Sequence, residues 1–257
     1  MRRSEAARPD VDLLTLLGLL LALSAVVVGA IVKGAGAAAL VSLAALMIVL
    51  VGTVAAICVQ TPYATLRRAL DMLPWILRPP GLAGEAVIER IVEWSRTARR
   101  KGLLGLEPEI ESVDDPFMRR GLQLVVDGAD PERLRGILEV ELDVREEDEL
   151  AAARVLESMG VYAPTLGIIG AVLGLMAVMQ HLEDPARLGQ GIAAAFTATV
   201  YGIGFANLLF LPVAAKLKAL VATRTRRRVM MIDGLAAVAE GENPRAIAAR
   251  LQGYLPG

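Results

Sequence analysis

The chain has 257 residues, 55% hydrophobic and 21% charged, with mean hydropathy +0.52, which excludes a disordered chain and is high for a soluble domain. Twenty-seven Lys and Arg against 28 Asp and Glu leave a net charge of −1, which argues against nucleic acid as a partner. One cysteine (Cys58) and one histidine (His181) exclude a disulfide framework, a CxxC site and HExxH chemistry, and a membrane protein remains.

Residues 1–12 form a polar N-terminus carrying Arg2, Arg3 and Arg8. Leu13–Val32 has no charge and is long enough to cross a bilayer as a helix. It exceeds the apolar core of a signal peptide, and no small-residue cleavage site follows it. Residues 34–59 are equally uncharged and, across Lys33, complete a first transmembrane hairpin at 13–59. Cys58, near the end of that hairpin, is expected to be a small packing residue.

Residues 60–157 hold 14 of the basic and 20 of the acidic side chains, so most of the polar surface belongs here. Thr61-Pro62 predicts a cap with proline at the first helical position, opening a helix toward Leu77. Arg78-Pro79-Pro80-Gly81 breaks it. A helix over 85–101 follows, with Val87, Ile88, Ile91, Val92 and Trp94 at helical spacing and Gly102 ending it. Asp115-Pro116 and Asp130-Pro131 mark two further helix starts. The second leads a long helix, with Leu134, Ile137, Leu138 and Leu142 on one side, that runs on toward Gly160. Its run Arg145-Glu146-Glu147-Asp148-Glu149 reads as a solvated face.

Two more uncharged spans, 158–180 and 188–215, form a second hairpin at 158–215. The tail, 216–257, continues as helix through Val221 and Arg228, and Asn243-Pro244 caps a last helix over 244–251. Arg224 and Arg226 to Arg228 read as an anchor to anionic lipid or as a protein contact. Lys and Arg gather on the termini and on 60–157, which places both termini and that segment in the cytoplasm. The expected fold is therefore an all-α membrane protein. It has four transmembrane helices, a helical cytoplasmic domain between spans two and three, and a helical tail.

Ionisable groups inside a membrane mark ion pathways, and no span contains one. Any titrating group must come from a partner. Thr165, Thr197, Thr199, Tyr201 and Asn207 are the polar residues of the second hairpin; hydroxyls there bond their own helix or join helices. Gly167, Gly170 and Gly174 make a face on which another helix packs closely, whether a sibling or a foreign one. Pro164 and Pro212 each remove a helix N–H and favour a kink. No catalytic constellation is present, so an enzyme, a metal site and a cofactor are not expected; His181 reads as an interface residue.

The order of spans, together with several local strings, resembles the MotA family of flagellar motor stator subunits. The strings are Ala98-Arg99-Arg100-Lys101-Gly102-Leu103-Leu104-Gly105-Leu106-Glu107, Ala163-Pro164-Thr165-Leu166-Gly167-Ile168-Ile169-Gly170, Phe196-Thr197-Ala198-Thr199-Val200-Tyr201-Gly202 and Gly241-Glu242-Asn243-Pro244-Arg245. The resemblance covers essentially the whole chain. It implies a bacterial inner-membrane subunit, five copies of which surround two copies of MotB, whose membrane aspartate titrates. Ion passage then turns the ring against the rotor protein FliG. By the same resemblance Arg99 and Glu107 face the rotor, Thr199 lines the ion path with Thr197 nearby, and Pro164 and Pro212 couple ion movement to conformation. Sodium-type relatives carry a threonine at the position matching Ala171. Hard cations need oxygen ligands, so Ala171 favours protons over sodium. The TolQ/ExbB branch is the alternative, and the hairpin 13–59 argues against it.

Overall fold

The structure, a computed structural model, describes residues 12–34, 40–80, 84–180 and 185–255. Arg2, Arg3, Arg8, Gly81 and His181, used above, lie outside the described residues. Among the described residues every regular element is helical. Four helices are long and apolar enough to cross a membrane.

Helix α1 (Leu13–Val32) begins where expected, because the Asp12 carboxylate accepts the Thr15 N–H at 3.2 Å. It ends at Lys33 and Gly34, the latter at φ +79°, a left-handed conformation glycine adopts without a Cβ penalty. Span two is helix α2 (Leu43–Gln60), which takes up the later part of the uncharged stretch 34–59. Its start is set by Ser42, whose extended backbone and hydroxyl cap the Ala45 N–H at 3.3 Å. Lack of charge shows that residues suit the bilayer, not where a helix begins. A π-helical turn, Met47–Val51, interrupts α2, and the buried Thr53 hydroxyl donates to the Val49 carbonyl at 2.6 Å.

Helix α3 (Tyr63–Met72) follows, passing into a 3₁₀ turn, Leu73–Ile76, that stops at Leu77 as expected. Pro62 occupies the cap, one position earlier than predicted. In the polar unit, residues 80–147 gather with residues 220–255. Helix α4 (Gly84–Lys101) buries all five predicted apolar residues, and Gly102, at φ +77°, ends it. Helix α5 (Pro116–Val126) is capped by Asp115, which accepts the Met118 N–H at 2.9 Å. Helix α6 (Pro131–Met179) runs unbroken through span three. Leu134, Leu138 and Leu142 enter the core, but Ile137 is only half-buried: it lies about 60° around the helix from Leu134 and about 100° from Leu138, at the margin of the core face.

The last long helix, α7 (185–239), comprises α-helical Pro185–Phe205, a π-helical turn Ala206–Phe210, and Leu211–Ala239. Helix α8 (Pro244–Gln252) is capped by Asn243, which accepts the Arg245 N–H at 2.9 Å. The polar unit closes on Trp94, Phe117, Met118, Leu122, Leu138 and Leu235. Full burial stabilises each such side chain by about 1.5–3 kcal/mol.

Candidate functional site

Spans three and four meet along a seam of small residues. A Cβ on Gly167 would fall 2.9 Å from the Ala198 carbonyl oxygen and 3.4 Å from the Thr199 Cα. One on Gly202 would fall 2.6 Å from the Ala163 carbonyl oxygen and 3.1 Å from the Pro164 Cα, and one on Gly174 would reach Ala195 at 3.0 Å. The backbones therefore touch. This settles which helix the glycine face of span three receives: the sibling span four, and not a foreign helix. Any outside helix must use other faces, such as the exposed stripe Val161, Ile168, Val172, Leu175 and Met176.

Thr199 is half-buried beside this seam, and its hydroxyl donates to the Ala195 carbonyl at 3.5 Å. Thr197 is 6% exposed and donates to the Ala193 carbonyl at 2.9 Å. Both bond back to their own helix, as hydroxyls in apolar surroundings do. Ala171 lies one helical turn beyond Gly167, so it flanks the same seam from the α6 side. Pro164 faces Gly202 across the seam, inside an unbroken helix. Pro212 stands just beyond the π-helical turn, in which the Leu211 N–H reaches back to the Ala206 carbonyl. Proline removes the bond to the residue four back, and here the helix has already changed hydrogen-bond register.

Several polar ties join the two hairpins, and the sequence alone did not reveal them. The Tyr201 hydroxyl donates to the Leu40 carbonyl and accepts the Ser42 N–H at 3.3 Å, fastening the start of span two to span four. The Tyr162 hydroxyl donates to Gln60 Oε1 at 2.6 Å. Lys216 donates to the Asp12 carboxylate and the Thr15 hydroxyl. That hydrogen bond from Lys216, then the Thr15 N–H, hold the Asp12 carboxyl below its ordinary value of 3.8.

Glu149 corrects the expectation of a solvated acidic face. It is 1% exposed and accepts from Arg68 at 2.9 Å, and the Arg68 guanidinium also lies 5.5 Å from the Trp75 ring centre. Cys58 is also corrected: it is exposed on α2, one residue past the buried Ile57, and packs in no core. Arg228 is 5% exposed, its guanidinium 5.7 Å from the Phe117 ring centre, so this member of the basic run packs inside the chain's own polar unit.

In the polar unit, Arg99 and Glu107 are both exposed on either side of a tight reversal. Gly102 supplies the left-handed step, and a Cβ on Gly105 would lie 2.6 Å from the Lys101 Cβ. Leu106 is fully buried and pins the turn. Arg99 shares a cleft of about 690 Å³ with Arg96, Arg100, Asn243, Pro244 and Arg245. The tail thus adds Arg245 to the Arg99 surface. The sequence marked the helix start at Asn243-Pro244 and the string Gly241 to Arg245, but neither could say where that helix would dock.

Residues 109–230 match the MotA/TolQ/ExbB proton channel family. Motility protein A of Bacillus subtilis (strain 168) is 38% identical over 246 residues, covering 95% of this chain and 91% of the relative. A solved structure of C. jejuni MotAB superposes with a TM-score of 0.91 at 31% identity, covering 95% of this chain and 96% of that one. The flagellar MotAB stator complex from Bacillus subtilis gives 0.86 at 39% identity, with 94% and 95% covered. The glycine seam, the four apolar helices and the full-length likeness together make this chain a member of the motility protein A branch of the MotA/TolQ/ExbB proton channel family.

Proposed function

We propose that the chain is the ion-conducting stator subunit of a bacterial flagellar motor. It works in the inner membrane with both termini in the cytoplasm. Several copies, five by family resemblance, surround a MotB-like partner that supplies the membrane carboxylate. It needs no cofactor and performs no enzymatic step; ion flux along the seam of spans three and four turns the ring and drives the rotor protein FliG. The observation that carries this reading is the end-to-end likeness to two MotAB structures. The absence of any Asp, Glu, His, Lys or Arg from spans one to four supports a borrowed acid.

In this reading Thr199 and Thr197 border the ion path, and Pro164 and Pro212 let the spans change shape. Ala171 offers no oxygen to a dehydrated cation, which favours protons. Exposed Arg99 and Glu107 meet the rotor by charge complementarity, with Arg96, Arg100 and Arg245 widening the basic surface. The test is motility of a strain carrying Arg99→Glu or Glu107→Lys. Swimming speed should fall severalfold while the subunit still co-purifies with its MotB-like partner. Unchanged swimming in both variants would remove the rotor role from these residues, and loss of co-purification would make them structural.

A further inference from the structure

The polar unit keeps a stripe on α6 that no described residue covers, apolar and acidic toward Glu147 and bordered by Arg120, Arg133 and Arg145. Val140 is 65% exposed and Val144 57%, with Gly136, Asp143 and Glu147 exposed along the same face. Spacings of three and four put these residues on one side of the helix, opposite the buried Leu138 and Leu142. Two bare valines on an otherwise charged helix of a water-facing unit call for a partner. On α7 a second stripe is exposed at the same spacing: Ala222, Arg226 and Val229, the last 38% exposed. Neither Asp143 and Glu147 nor Arg226 forms an ion pair among the described residues.

The two stripes also lie at matching levels. Within one chain Arg135 and Asp233 are bonded at 2.8 Å, which fixes α6 against the antiparallel α7. Both helices rise about 1.5 Å per residue, so counting equal steps from that pair sets Val140 level with residue 228 and Asp143 level with residue 225. Val229 and Arg226 are their nearest exposed counterparts. Copies related by rotation within a closed ring keep every residue at its own level, and a head-to-tail ring joins two different surfaces.

We propose that the α6 stripe Val140, Asp143, Val144 and Glu147 docks on the α7 stripe Ala222, Arg226 and Val229 of a second copy of this chain. Val140 meets Val229, Asp143 meets Arg226, and Glu147 lies one turn further along, level with Ala222. The contact is heterologous, so each copy uses both stripes and the ring closes without free edges. This rests on the self-assembly reading above and assigns its surface in the polar unit.

The experiment uses the full chain with its MotB-like partner, in a Cys58→Ala background. With Val140→Cys and Val229→Cys together, oxidation should give a ladder of covalently linked multimers, and either change alone should give no ladder. Asp143→Arg or Arg226→Glu should each weaken self-assembly about tenfold, and the two together should restore it. Circular dichroism checks that each reversal still folds; if one does not, the cysteine pair decides. A wild-type chain that is monomeric by native mass spectrometry overturns the self-assembly reading and this surface with it. A multimeric chain whose cysteine pair gives no ladder overturns the surface alone, as does recovery of the cross-link on a different protein.

Discussion

In the run Arg145 to Glu149, Glu147 and Asp148 are exposed while Glu149 is buried against Arg68. Five consecutive helical residues sweep more than a full turn, so no such run can occupy a single face. Composition made it look solvated; its phase relative to Leu138 and Leu142 put its last member inside. Breaking the pair by Arg68→Ala takes the Arg68 charge away from a buried carboxylate. Arg68 is 41% exposed along its side chain, so solvent screens part of the loss. We expect Arg68→Ala to lower stability by about 1–2 kcal/mol, and Arg68→Ala with Glu149→Leu to recover most of it. Thermal unfolding of the detergent-solubilised protein measures both, and equal melting temperatures for the single variant and wild type would refute this account.

The helices themselves were largely legible, because local signals make them. Asp115 and Asn243 cap where short polar side chains were expected to, and Gly102 stops α4. The start of span two and the π-helical turns at Met47–Val51 and Ala206–Phe210 were not legible. Ser42 is a lone hydroxyl within a long apolar run, and no residue type marks a change of hydrogen-bond register inside a helix. The glycines were legible as a packing face, though their partner was not, since a small-residue stripe does not specify its complement. Two glycines of α7 test the seam against each other. Gly202→Ala puts a methyl group 2.6 Å from the Ala163 carbonyl and should destabilise by about 1–3 kcal/mol, while Gly204→Ala meets open space and should be neutral or slightly stabilising. Similar expression and melting of the two variants would mean that spans three and four separate more easily than the contact distances imply.

At the scale of the whole molecule, two units divide the labour: residues 12–79 and 148–219 hold the apolar hairpins, and residues 80–147 and 220–255 hold the charged surfaces. With no Asp, Glu, His, Lys or Arg in the spans, the chain reconstituted alone should carry no measurable proton flux in a vesicle assay. Addition of the MotB-like partner should produce flux. Conduction by the isolated chain would place the titrating group within it and overturn the borrowed-acid reading.

The ties that hold the first hairpin also impose an order of biosynthesis. Tyr201 is 161 residues from Leu40, and Lys216 is 204 from Asp12, so neither anchor exists when spans one and two leave the ribosome. At about 5–20 residues per second, the hairpin waits roughly 8–30 s for Tyr201 to be made. During that interval only lipid surrounds it, which suits α1, since none of its residues is buried even in the finished chain. A nascent chain stalled before Tyr201 should therefore carry a membrane-inserted hairpin in which Leu40 and Ser42 are still unfastened.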